Sequence, residues 1–234
     1  MTTAKLNIAV IGLDRMGQRH ALNLLHGVPR TRLVAICTPA PHEVAWAEEH
    51  LAPEGVRAFA DFEELMSAAD LGIQAVVVAS PTKMHVAHTL AALERGGVHV
   101  LCEKPVSTDV KELESVVQKA KANPTTKLMV GFVRCFERNY LDARRKIEAG
   151  LIGRPLVIRS QGTEKLDKSG FFIEYARVSG GIFVDTAMHD IDLTLSFFGD
   201  DAVPRSCYAT GLISHHTEMV EFNDVDNAVG VVEF

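Results

Sequence analysis

The sequence predicts an α/β fold in two parts: a doubly wound parallel sheet over 1–132, followed by a second, smaller α/β part over 133–234. Through the first part, short apolar runs alternate with stretches of helical length, and the crossovers are as long as parallel strands require. The polar motifs of that part all fall where an apolar run ends, which in an open parallel sheet is the edge carrying the ligand crevice. After Gly131 the alternation gives way to a charged helix and more widely spaced elements. At 234 residues there is room for one large domain or two small ones, given about 100–200 residues per domain.

Leu6-Asn7-Ile8-Ala9-Val10-Ile11 is a buried-strand run that leads straight into Gly12-Leu13-Asp14-Arg15-Met16-Gly17, and a helix is expected over 16–26. Strand, glycine turn and helix are the context in which a dinucleotide's phosphates are cradled. Such a turn wants glycine at the tight bend, at the closest approach to pyrophosphate and at the helix–strand contact. Gly12 and Gly17 fill the first and third places. Asp14 stands at the second, where a side chain crowds phosphate and a carboxylate repels it, and Arg15 offers a compensating cation. A plain strand-to-helix turn accounts for the same residues about as well.

The second strand, over 32–37, ends in Thr38-Pro39-Ala40. An acid there would hold ribose hydroxyls and an arginine would suit a 2′-phosphate; Thr38 is neither, which leaves NAD and NADP both open. A helix over 43–50, a short strand over 56–59 and an Asp61-capped helix over 62–69 follow. The run over 73–79 is almost continuously apolar, as a strand covered on both faces is. It ends in Ser80-Pro81-Thr82, and a helix over 84–95 carries His85 and His88 three apart. A metal site would need further ligands and none lies nearby, so no metal is expected. His85, in the first turn beside the crevice, reads as a cofactor or substrate neighbour, and His88 as packing or surface.

The strand over 99–102 closes on Glu103-Lys104-Pro105. Proline cannot donate to a sheet ladder and pushes its predecessor extended, so Lys104 is held at a strand's carboxyl end. A surface Lys-Pro turn reads the tripeptide too, and the company it keeps favours a site. A helix capped by Ser107 or Thr108 runs to 122, Asn123-Pro124 breaks it, and a strand covers 127–132. Beyond lie a charged amphipathic helix over 137–149, a half-exposed alternating strand over 156–161, a loop over 162–175, and a helix over 182–198 entered by Ser179-Gly180-Gly181 and ended by Gly199. Strands over 206–214 and 227–234 complete the chain.

A net charge of -6 argues against a nucleic-acid or anionic-membrane surface. No apolar run approaches the roughly 20 residues of a membrane span, and residues 1–7 lack a signal peptide's apolar core. The four cysteines, Cys37, Cys102, Cys135 and Cys207, form no CxxC pair and read as reduced thiols of a cytoplasmic protein.

In the helix over 182–198, Asp185 and His189 are four apart and share a face. A carboxylate beside an imidazole fixes its tautomer and raises its basicity, as a general base near neutral pH requires. Asp192 is expected on the same side, with Asp190 elsewhere as a surface or hinge contact. A solvated ion pair is the plainer reading, but Ile182, Phe183, Val184, Ala187, Met188 and Ile191 make the segment largely apolar, and ionisable groups buried there need partners.

The glycine turn, Ser80-Pro81-Thr82 with His85, Glu103-Lys104-Pro105, Gly131-Phe132-Val133-Arg134, and Gly180-Gly181 through Asp185, His189, Asp190, Ile191 and Asp192 together resemble the Gfo/Idh/MocA oxidoreductase family, most nearly its inositol 2-dehydrogenase-like members. The resemblance implies a dinucleotide-binding Rossmann domain over 1–132 and a substrate-binding and dimerisation domain over 133–234 built on a mostly antiparallel sheet. It implies hydride transfer between NAD or NADP and a secondary alcohol of a polyol, inositol or sugar. It also implies a homo-oligomer if the second sheet is complete. By position, Lys104 would hydrogen-bond the reacting oxygen, His189 would take the hydroxyl proton, and Asp185 would orient that imidazole. Gly12, Asp14, Arg15, Met16 and Gly17 would lie along pyrophosphate, with Thr38 at the adenosine side. Ser80, Thr82, His85, Glu103 and Lys104 would line the nicotinamide ribose.

The sequence departs from the family pattern at Asp14, at Thr38 and at Cys135, where a second arginine is expected after Arg134. The chain also stops at Phe234 inside a strand, whereas the resemblance implies about another hundred residues of domain. The second domain is therefore expected to be incomplete, with an exposed sheet edge. Two other functions fit less of the sequence. One is a non-catalytic nucleotide-binding regulator, favoured by Asp14; the other is a metal-dependent hydrolase using His189, Asp190 and Asp185.

Overall fold

The computed structural model describes residues 4–199 and 201–234; residues 1–3, part of the stretch read above for a signal peptide, and Asp200 lie outside that description. The chain divides into two compact units, one ending at Gly131 and the other beginning at Phe132.

Six strands build the first unit: β1 (Leu6–Ile11), β2 (Thr31–Cys37), β3 (Arg57–Phe59), β4 (Ala75–Val78), β5 (His99–Cys102) and β6 (Leu128–Val130). All pair in parallel, in the order β3-β2-β1-β4-β5-β6. Side chains alternate across a strand, and here both faces are apolar. Along β1, Ile8 and Val10 enter one buried layer and Ala9 and Ile11 the other; along β4, Ala75 and Val77 oppose Val76 and Val78. Helices α1 (Arg15–Leu22) and α2 (Pro41–His50) cover the first layer through Ala21 and Ala47. Helices α3 (Phe62–Ser67), α4 (Thr82–Glu94) and α5 (Val110–Ala122) cover the second through Leu65, Met66, Ala92, Leu93 and Val116. Burial of each Val, Leu or Ile side chain contributes roughly 1.5–3 kcal/mol, and the strand order reverses between β1 and β4.

Local chemistry sets the helix starts. The Asp61 carboxylate caps α3 by accepting Glu64 N–H at 2.9 Å, as expected. Helix α5 is capped by Asp109 rather than Ser107 or Thr108: Asp109 accepts Lys111 N–H at 2.7 Å and Glu112 N–H at 3.3 Å. Ser107 is instead buried, its hydroxyl donating to Glu112 while accepting Asp109 N–H at 3.0 Å. Helix α1 continues through a π-helical turn over Asn23–Gly27.

In the second unit, Glu137 caps α6 (Arg138–Glu148) by accepting the N–H groups of Asn139 and Tyr140. The strand expected over 156–161 does not form. Among the described residues no strand pairs with it, and Leu156 and Val157 stand exposed, so the alternation there has no ladder to join. Part of the expected loop over 162–175 is helical. Asp167 accepts the N–H groups of Ser169 and Phe172 at 2.8 Å and starts α7 (Phe171–Ser179) between Gly170 and Gly180, both at positive φ. The helix expected over 182–198 is two pieces, a π-helical turn over Phe183–Ala187 and α8 (Met188–Phe198). Strands β7 (Ser206–Leu212) and β8 (Asn227–Glu233) form an antiparallel ribbon in which Ser206 faces Glu233 and Leu212 faces Asn227. No described helix is long and apolar enough to cross a membrane.

Candidate active site

The glycine turn closes against the loop after β4. Gly12 has φ +85, and a Cβ there would lie 2.5 Å from the backbone of Ser80. A Cβ on Gly17 would collide with the Gly12 carbonyl. These two glycines let β1 and α1 meet at the point where the strand order reverses, which is where open α/β sheets bind ligands. Asp14 begins α1: its carboxylate accepts Met16 N–H at 3.0 Å and Gly17 N–H at 3.2 Å. The donors that a helix N-terminus offers to an anion are thus already met by the chain's own carboxylate. Arg15 is the first residue of α1 and Thr82 the first of α4.

Thr38 ends β2 buried, and its hydroxyl donates to Glu43 of α2. The same Glu43 oxygen accepts Leu13 N–H at 2.9 Å, joining the glycine turn to the end of β2. Sequence reasoning passed over Glu43; its only signal was an acid in the first turn of the helix after Pro41.

His20 of α1 was also passed over. Its Nε2 lies 2.7 Å from Glu103 Oε1, with the Glu103 side chain only 13% exposed. Burial pushes the Glu103 carboxyl up, but the hydrogen bond and charge of His20, with the Lys104 N–H and ammonium, outweigh it and hold the group below its usual range. A Cβ on Gly131 would stand 3.2 Å from this carboxylate, so the glycine after β6 leaves it room. Lys104 follows Glu103 at the carboxyl end of β5, its N–H directed at Glu103 Oε2 at 3.3 Å.

His85 stands in the first turn of α4. It is buried, with Nδ1 2.7 Å from the Pro105 carbonyl and Nε2 2.6 Å from the Ser80 carbonyl. Both ring nitrogens are engaged by backbone, so His85 ties two crevice loops together and presents no nitrogen to a ligand. His88 packs face to face with Phe62 and lies 3.0 Å from Ser80 Oγ. Among the described residues no group of three or more His, Cys, Asp or Glu side chains is placed to hold a metal.

In the second unit Gly180 and Gly181, both at φ +88, lead into the π-helical turn that carries Asp185. Ile182 N–H is held by Asp224 at 3.1 Å. Tyr175 donates to Asp185 Oδ1 at 3.4 Å, and His189, in the first turn of α8, meets Phe132 edge to face at 6.2 Å. Asp185 lies within the π-helical turn and His189 just beyond it, and π-helical turns of this kind are frequent at functional sites. Asp190 is no loose surface group: it pairs with Arg134 at 2.7 Å and accepts from Ser160. Asp192 does not stand free beside His189 but accepts from the Cys135 thiol at 2.7 Å.

A doubly wound parallel sheet with a glycine turn at its switch point defines a nucleotide-binding type of α/β protein. The chain belongs to the GFO/IDH/MocA family: the model described as "Oxidoreductase family, NAD-binding Rossmann fold" matches residues 6–132, and the family's C-terminal domain matches 140–234. It is 32% identical over 231 residues to the scyllo-inositol 2-dehydrogenase (NAD(+)) of Bacillus subtilis, covering 98% of this chain and 64% of that one. It is likewise 32% identical to the Myo-inositol 2-dehydrogenase of Thermotoga maritima, covering 98% and 65%. The crystal structure of scyllo-inositol dehydrogenase from Lactobacillus casei with bound NAD(H) and scyllo-inositol superposes with a TM-score of 0.87 at 29% identity, over 98% of this chain and 66% of that one. The chain thus spans slightly less than two thirds of the length of these relatives.

Proposed function

We propose that the protein is a cytoplasmic NAD(P)-dependent dehydrogenase that oxidises a secondary alcohol of a polyol, inositol or sugar. The observation carrying this reading is the glycine turn packed on Ser80 at the switch point, with Lys104 fixed at the carboxyl end of β5, in a chain of this family. The residues fit a dinucleotide. Gly12 and Gly17 let β1 and α1 close tightly at the switch point, and pyrophosphate would take the Met16 and Gly17 N–H groups there in place of the Asp14 carboxylate. Bound nicotinamide supplies the hydride acceptor. Lys104 Nζ donates to the substrate oxygen and steadies the charge developing there. A ring nitrogen of His189 receives the hydroxyl proton, and Asp185 holds the imidazole in the tautomer that accepts it. Glu103, steadied by His20, accepts the Lys104 N–H and so fixes the lysine's backbone at the strand end. Residues up to 132 serve as the dinucleotide-binding part, and 133–234 as the part that binds substrate and pairs subunits. The exposed Tyr208, Leu212, Val229 and Val231 on the β7–β8 ribbon are the pairing surface in this reading.

Steady-state formation of reduced nicotinamide with a panel of inositols and sugars tests the assignment. Turnover should appear with at least one polyol and fall by about 10²-fold or more in Lys104→Ala and His189→Ala; variants as active as the wild type would overturn these roles. One observation favours a second reading, a non-catalytic nucleotide-binding regulator: the Asp14 carboxylate sits on the donors that pyrophosphate needs. Tight dinucleotide binding without turnover on any polyol would select it.

A further inference from the structure

The end of β2 lacks an acid in sequence but has one in space. Glu43, in the first turn of α2, turns its side chain back toward the sheet rather than along its own helix. Its Oε2 accepts both Leu13 N–H at 2.9 Å and the buried Thr38 hydroxyl. Thr38 Oγ1 is itself oriented by accepting Ala40 N–H at 3.2 Å. The carboxylate is therefore pinned by one oxygen between the glycine turn and the end of β2, and among the described residues no hydrogen bond engages Oε1. The Glu43 residue is only half-buried, so the site it occupies is open to solvent in part.

We infer that Glu43 selects the dinucleotide: its carboxylate accepts the hydroxyls of the adenosine ribose and rejects a phosphate at the 2′ position. This rests on the dehydrogenase reading above. A carboxylate at the end of the second strand accepts a diol, whereas a 2′-phosphate needs a cation there. No Lys or Arg occurs between Arg32 and Arg57. The Arg57 guanidinium is paired with Asp70 at 2.6 Å and lies over the Phe59 ring at 5.0 Å. The arrangement thus offers an acceptor for hydroxyls and no spare cation from β2, α2 or the start of β3. A purely structural Glu43 would staple the turn to the strand and leave the choice of cofactor unaffected.

Fluorescence titration of NADH and NADPH against the full chain, Glu43→Gln and Thr38→Val separates the two roles. Glutamine keeps a carbonyl oxygen for Leu13 N–H and Thr38, so the staple survives while the charge is lost, and far-UV circular dichroism with a melting curve verifies the fold. The wild type should bind NADH tens of times more tightly than NADPH. Glu43→Gln should weaken NADH by about tenfold, the worth of hydrogen bonds to a charged acceptor, and bring the two cofactors to comparable affinity. Thr38→Val should shift the same ratio by a smaller factor. Equal affinities in the wild type, or an unchanged ratio in Glu43→Gln, would overturn this assignment and leave the dehydrogenase reading standing. Binding of neither cofactor to the wild type would overturn both.

Discussion

Replacing Asp14 by glycine should strengthen dinucleotide binding at little cost to the fold. The Asp14 carboxylate makes two bonds, to Met16 N–H at 3.0 Å and Gly17 N–H at 3.2 Å, and both donors return to the site when it is removed. A capping Asp exchanged for Gly costs only a few tenths of a kcal/mol. For a chain of this size that lowers the melting temperature by roughly 1–2 °C. Against this stands the repulsion between the carboxylate and a pyrophosphate on the same helix terminus. Two unit charges about 4 Å apart interact by about 1 kcal/mol in water and more where solvent is partly excluded. The balance predicts NADH binding some 5–30-fold tighter in Asp14→Gly, since 1.4 kcal/mol is a factor of about ten. Asp14→Asn keeps a capping oxygen and loses the charge, so its gain should fall between those of the wild type and the glycine variant. NADH fluorescence titrations at low and high salt provide the assay, and the gain should shrink as salt rises because the site is exposed. Unchanged or weaker binding in a folded Asp14→Gly protein would refute the idea that this carboxylate competes with phosphate.

Two further outcomes follow from buried groups. His20→Ala leaves the Glu103 carboxylate without its imidazole partner and should cost about 1–3 kcal/mol of stability at neutral pH. Glu103 is held below its usual range in the folded chain, so its contribution is full above the unfolded value near 4.5 and lost as pH falls through the lowered folded value. Urea midpoints of wild type and variant should therefore differ at neutral pH and converge as pH falls through the lowered folded value of Glu103, and a gap that persists in acid beyond it would count against the pairing. Among the thiols, burial, reinforced by the Asp61 and Glu64 charges, pushes Cys37 up to about 12, while burial above all pushes Cys102 up to about 11. Cys207 is exposed, so iodoacetamide at neutral pH should modify it first, and mass mapping that found Cys37 modified as fast in native protein would contradict the buried assignment.

The sheet was legible because its signal is local and redundant. Each strand of the first unit carries apolar residues on both faces, and each is bounded by glycine, proline or a capping acid, so β1 and β5 fall where the apolar runs place them. The second unit was less legible for the opposite reason. The alternation over 156–161 is a necessary mark of a strand but needs a neighbour to pair with, and α7 begins at a glycine without a conventional cap of its own. The site divides in the same way. Glycine positions and the strand-terminal Lys104 follow from motifs read in a line. His20 and Glu43 act on residues 83 and 30 positions away, and only the folded backbone brings them there. His85 shows the converse: a histidine beside a crevice suggested a ligand contact, yet its two nitrogens meet main-chain carbonyls.

The bracing of Ser80 and Pro105 by one imidazole has a mechanical consequence. These carbonyls belong to the segments that follow neighbouring strands β4 and β5, and a rigid ring spanning them fixes their spacing. Gly12 leans on the first of these segments and Lys104 immediately precedes the second. A displacement begun at the glycine turn is therefore passed through the ring to the lysine's backbone, so the two lips of the cleft travel as a single piece.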